Sequence, residues 1–196
     1  WRVPVTSEVL APPQAADGIA VVRTGDGKLF GLSADSGARL WIYDRSVPIL
    51  SLRGTSTPVL VEDLVLAGFD SGRLVAVELL TGRLVWEAQI AIPRGRSDLE
   101  RMVDLDSEPV VMGRSVYVAT YQGSVAAVSL DTGDVEWSRD ISSAAGLTVD
   151  RNAVYVTDDE SEVWALERGS GTSLWKQEKL RRRALTAPVD HGEYVA

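Results

Sequence analysis

The chain has 196 residues, 45% of them hydrophobic, which is enough for a sizeable core in one or two domains. Its formal net charge of −8 argues against nucleic acid, or a membrane surface read through bulk charge, as a partner. Cysteine is absent and His191 is the only histidine, which sets aside disulfides, thiolate nucleophiles, cysteine–metal sites and histidine-built triads or metal sites.

No apolar run reaches the length of a bilayer-spanning segment. The chain opens at Trp1, which reads as the closing tryptophan of a unit whose remainder lies upstream, one unit ahead of Trp41. Any signal or lipid anchor would then lie upstream as well. The first full unit, at residues 11–44, carries Pro13, Gly27, Gly37 and Trp41. The second, at 57–90, repeats the register with Pro58, Gly72, Gly82 and Trp86, and the third, at 108–141, with Pro109, Gly123, Gly133 and Trp137. The fourth, at 146–178, keeps Gly171 and Trp175 but places Leu147 and Ser161 in the first two slots. Pro188 opens a fifth copy at 186–196. Every full copy has the form Gly-x-x-x-Trp at its close. The mean spacing of the closing tryptophans, roughly 45 residues, is the length of one four-stranded propeller blade.

Each unit reads as strands. Val116 to Thr120 and Val154 to Thr157 are β-branched and aromatic runs, and Ser124 to Val128 alternates. Glycine turns separate these runs, and a second glycine turn leads into the strand that carries the tryptophan. No segment shows a sustained helical period. One blade cannot bury both of its faces, so neighbours must stack, and Trp41, Trp86, Trp137 and Trp175 are expected to be docking and core residues. The repeat glycines are expected to need positive φ.

With four antiparallel strands per blade, the chain leaves the outermost strand at the end where it enters the next innermost one. The connections between blades and the turns between second and third strands therefore share one face. From closing tryptophan to the residue that opens the next unit, the connections run from Trp41 to Pro58, Trp86 to Pro109, Trp137 to Leu147 and Trp175 to Pro188. The first two are the longest and are consecutive, and long loops on a rigid scaffold are where binding concentrates.

The pattern G-x-L-x-A-L-x-x-x-T-G-x-x-x-W resembles the repeat named after pyrroloquinoline quinone (PQQ) rather than the WD type, since no Trp-Asp pair closes a blade. Two segments sharpen the likeness. The first connection reads Pro48-Ile49-Leu50-Ser51-Leu52-Arg53-Gly54 and on to Pro58; the second contains Arg101-Met102-Val103-Asp104-Leu105-Asp106-Ser107-Glu108-Pro109. With the repeats, they resemble the BamB family of outer-membrane protein assembly factors over essentially the whole chain. That resemblance implies an all-β, PQQ-like β-propeller of eight blades, of which this chain supplies about four. It implies a scaffold with no catalysis and no cofactor, at the periplasmic face of the bacterial outer membrane, anchored by a lipidated amino-terminal cysteine. Its expected partner is BamA, through BamA's periplasmic repeat domains, and unfolded outer-membrane proteins are its expected clients. The contact residues it implies are Leu50, Leu52 and Arg53 in the first connection and Asp104 and Asp106 in the second.

Those residues suit protein recognition. Leu50 and Leu52 are two apart and point the same way in an extended loop. Arg53 offers a planar fork for a carboxylate or for backbone carbonyls. The plainer reading is that the leucines tuck under the loop and that Arg53 pairs with Asp104 or Asp106, which then only order the connections. The charged stretch from Pro93 to Glu108 reads as a solvated loop, and Arg181 to Arg183 as a solvated surface or a second anionic contact. Asp158 to Glu160 reads as turn acids rather than a metal site. Two other functions compete. A PQQ-dependent quinoprotein dehydrogenase shares the fold but uses a vicinal cysteine pair, a calcium site and an aspartate base. A generic propeller hub would have unrelated partners. A half-ring would also leave two stacking faces open, so self-association, blade swapping or continuation in a longer chain is expected.

Overall fold

The computed structural model describes residues 1–44, 56–69, 72–92, 103–105, 107–192 and 194–196. Among these, sixteen strands form four antiparallel sheets, each a meander of consecutive strands. The first sheet is β1 (Gln14–Ala16), β2 (Ile19–Thr24), β3 (Lys28–Ser33) and β4 (Arg39–Asp44). The second is β5 (Val59–Val61), β6 (Leu64–Phe69), β7 (Arg73–Glu78) and β8 (Leu84–Gln89). The third is β9 (Val110–Met112), β10 (Ser115–Ala119), β11 (Val125–Ser129) and β12 (Val135–Arg139), and the fourth is β13 (Leu147–Val149), β14 (Ala153–Thr157), β15 (Val163–Glu167) and β16 (Ser173–Gln177). This is a partial β-propeller of four blades. Residues 188–192 and 194–196 pair through the Asp190–Val195 bridge and through two bonds between Val189 and Ala196.

The core lies between blades. One cluster joins Trp41, on the first blade, to Val65, Val77 and Leu79 on the second. A second joins Trp86 to Val116, Val128 and Leu130, and a third joins Trp137 to Val154 and Leu166. The joint is the same each time. The indole nitrogen donates to the carbonyl three positions before the next blade's repeat glycine: Trp41 to Leu79 (2.7 Å), Trp86 to Leu130 (2.8 Å) and Trp137 to Arg168 (2.8 Å). Trp1 does the same to Ala34 at 2.9 Å. The indole face then lies on the glycine, so that a Cβ on Gly37, Gly82, Gly133 or Gly171 would fall 2.5–2.7 Å from the ring of the preceding blade's tryptophan. Within its own blade, each tryptophan faces a small residue across the sheet: Gly31, Ala76, Ala127 or Ala165. Burying one indole contributes on the order of 4–6 kcal/mol by area.

Two expectations are corrected. Trp41, Trp86 and Trp137 are 7–8% exposed, but Trp175 is 45% exposed, because among the described residues no glycine turn of a following blade lies on its ring. Gly123 does not take positive φ. Gln122 does, at 50°, and Gly123 is needed for space, since a Cβ there would lie 2.2 Å from Thr120 Oγ1 and 2.5 Å from Ala91 Cβ. Ser161, the exception to the glycine pattern, keeps the left-handed conformation of Gly27 and Gly72, with φ of 62°.

Candidate functional site

The strand order places the connections and the β2–β3, β6–β7, β10–β11 and β14–β15 turns at one end of the blades, and backbone bonds stitch the two sets together. Ala91 donates to Gly72, Tyr121 to Asp104, Ser143 to Thr120, Asp159 to Ser142 and Arg182 to Glu160. The buried polar side chains of the described residues all belong to this end: Arg23, Thr24, Ser56, Asp104, Thr120, Ser124, Ser143, Thr157, Ser161 and Glu162. The opposite end, with the β3–β4 turn and its equivalents, buries no charged, serine or threonine side chain among the described residues; its buried polar groups are the tryptophan indoles and the Tyr117 hydroxyl. A polar layer therefore lies under the connections, and buried polar groups must be bonded to be tolerated.

Of the residues expected to make partner contacts, Leu50, Leu52, Arg53 and Asp106 lie outside the described residues. Asp104 is described. It is 2% exposed, and its carbonyl accepts the Tyr121 N–H at 2.9 Å in an isolated bridge. Its neighbours Val103 and Leu105 are buried as well. A Cβ on Gly68 would lie 2.2 Å from Leu105 Cδ2, so this glycine makes the seat for the leucine. Ser107 Oγ then donates to the Ala119 carbonyl at 2.8 Å. The charge pattern of Pro93–Glu108 predicts a solvated loop throughout. At 103–105 the chain is instead pinned into the gap between the second and third blades, because Val103 and Leu105 flank the acid and have apolar seats.

Sequence reasoning also missed Arg23. Its Nη1 donates to the Ser56 carbonyl at 3.1 Å, and its guanidinium carbon lies 4.9 Å from the centre of the Phe69 ring. A lone arginine in the hydrophobic run of β2 was the signal available.

Several other charges at this end among the described residues serve the chain itself. Asp158 accepts from the Glu160 and Glu162 backbones and from Trp164 Nε1 at 2.8–3.0 Å; Asp159 accepts from Ala144 N at 3.0 Å and from Ser142 Oγ. Arg181 pairs with Glu160 and Glu162 at 3.3 and 3.4 Å. Glu162, and then Glu178, holds the Lys176 ammonium above its ordinary pKa, and that ammonium lies 4.5 Å from the centre of the Trp164 ring. Burial works to raise the Asp26 carboxyl, but bonds from Thr24, Thr6 and Lys28 outweigh it and leave it below its ordinary value. Among the described residues no group of three or more His, Cys, Asp or Glu is placed to hold a metal ion.

A family model described as outer membrane protein assembly factor BamB matches residues 1–177. The chain is 40% identical over 197 residues to the outer membrane protein assembly factor BamB of Bordetella pertussis, covering 100% of this chain and 51% of that protein. It is similar to the crystal structure of BamB from Moraxella catarrhalis, with a TM-score of 0.93 and 33% identity over 99% of this chain and 59% of that one. A quinohemoprotein alcohol dehydrogenase from Comamonas testosteroni superposes with a TM-score of 0.68 over 88% of this chain and 35% of that one, at 18% identity, and shares the fold alone. The chain spans about half the length of the curated relatives it matches.

Proposed function

The chain belongs to the BamB family, and we propose on that premise that it is a non-enzymatic scaffold of outer-membrane protein assembly. It works at the periplasmic face of the outer membrane, held there in the full-length protein by an amino-terminal lipid anchor. It docks on the periplasmic repeat domains of BamA through the connection face and helps to deliver unfolded outer-membrane proteins for insertion. Leu50, Leu52, Arg53 and Asp106 present the contact surface, and the buried Asp104 supports it by fixing the second connection to the third blade.

The observation that carries this reading is the asymmetry of the two ends. Charged, serine and threonine side chains are buried only beneath the connections among the described residues, and such a layer can hold long loops in one arrangement for a partner to bind. A dehydrogenase reading rests on fold likeness alone, and the chain has no cysteine to supply the vicinal pair of that family.

Calorimetry with the BamA periplasmic domains tests the proposal. The native chain is expected to bind, and Leu52→Ala and Arg53→Ala, each checked for folding by circular dichroism, are expected to lose about 2 kcal/mol or more of binding energy. Folded variants that bind like the native chain would overturn the site.

A further inference from the structure

We propose that Arg23 is a positioning residue of the docking face, fixing the flank of the first connection at Ser56 from beneath, against Phe69. The inference rests on the reading that this connection meets the partner.

Both flanks of the first connection converge on one ring. Tyr43, near the start of the connection, meets Phe69 edge-on, with ring centres 6.1 Å apart. At the other flank Ser56 is fully buried, and its carbonyl accepts from Arg23, whose guanidinium lies on the same Phe69 ring. Arg53 stands three positions before Ser56, so the covalent chain keeps their Cα atoms within roughly 11 Å. Phe69 ends β6, and the residue before it, Gly68, seats Leu105 of the second connection. Adjacent strand residues face opposite sides of a sheet. The end of β6 is thus the common footing of both connections, one on each face.

The repeat does not require this arginine. Four positions before the turn residue Gly27, Gly72, Gly123 or Ser161 stand Arg23, Gly68, Ala119 and Thr157. The other three blades use small uncharged residues there. Arg23 is 2% exposed, and burying a guanidinium is costly unless its partners are held in place. The first blade alone carries that cost, beside the connection that bears Leu50, Leu52 and Arg53. Its planar cation satisfies a carbonyl at one edge and stacks on an aromatic face, which a lysine does only in part.

Two measurements on Arg23→Met, Arg23→Lys and Arg53→Ala decide the matter. In hydrogen exchange without partner, Arg23→Met is expected to speed exchange at the flank, in peptides covering 56–61, and to leave the turns at 34–37 and 130–133 as in the native chain. An unchanged pattern, or an even rise through all blades, would overturn the proposal, the second marking a purely structural role. In calorimetry with the BamA periplasmic domains, Arg23→Met is expected to weaken binding about tenfold, as loop side chains must be ordered on docking, with Arg23→Lys in between. If Arg53→Ala abolishes binding while folded Arg23→Met binds like the native chain, the positioning role falls and the docking reading stands. If the native chain does not bind at all, the docking reading falls, and the exchange pattern decides whether Arg23 fixes the connection.

Discussion

At the residue scale the stability of the molecule turns on one joint, used four times. A glycine at positive φ lets the chain turn, and its missing Cβ lets the preceding blade's indole lie flat on the backbone. The two demands can be separated. Gly82 has φ of 68° and a Cβ there would meet the Trp41 ring at 2.5 Å; Gly113 has φ of 66° and open space around it. Gly113→Ala is expected to cost about 1 kcal/mol for the left-handed backbone alone. Gly82→Ala is expected to cost about 2–4 kcal/mol, since overpacking adds to the strain. Urea unfolding measures both, and equal losses would show that the indole contact contributes nothing. The need for a turn was legible in the sequence, because the glycines recur in register. The steric need was not, because the atom that forbids a Cβ belongs to another blade, distant in sequence, as Trp41 is from Gly82. Gly123 illustrates the same limit. Its turn places Gln122 in the left-handed region, and the approach of Thr120 Oγ1 and of Ala91 from the second connection explains the glycine.

At the element scale, the four-strand order could be read directly. Alternating β-branched runs and glycine turns dictate hairpins, and hairpins in series dictate a meander. The connections could not be read, since loops have no period and their fate depends on what they rest on. Val103 and Leu105 sit among charges in sequence, yet both are buried, because Gly72 and Gly68 leave seats for them. The outer strands differ in one respect that the repeat does foretell. β4, β8 and β12 each bury their tryptophan against a following blade, and β16 exposes Trp175. Beside Trp175 a cavity opens, lined by Leu180, Leu185 and Pro188 among others. In the other three blades the corresponding surface is covered by the next blade. The chain by itself is therefore expected to self-associate through the Trp175 surface, with a mass in light scattering that rises with concentration and falls back for Trp175→Lys. A clean monomer at all concentrations would contradict this.

At the scale of the whole molecule, the blades are nearly interchangeable and the two ends are not. Repetition explains the sheets, the indole joints and the turns at the end opposite the connections. It does not explain why the connections after Trp41 and Trp86 are so much longer than the one after Trp137, or why charged, serine and threonine side chains are buried only beneath the connections among the described residues. A scaffold that presents one face to a partner accounts for both. The face could be derived from strand count alone, and the candidate contacts came from the likeness to the family. The buried footing of Arg23, Phe69 and Gly68 was hidden, since it joins residues of two blades and two loops that no local pattern connects. The most direct test of this one-faced scaffold is photo-crosslinking to the BamA periplasmic domains from a reactive side chain placed at Leu52, on the connection face, or at Thr81, in the exposed turn at the opposite end. The account predicts a crosslink from position 52 and none from position 81. Crosslinking from position 81 and not from 52 would contradict it.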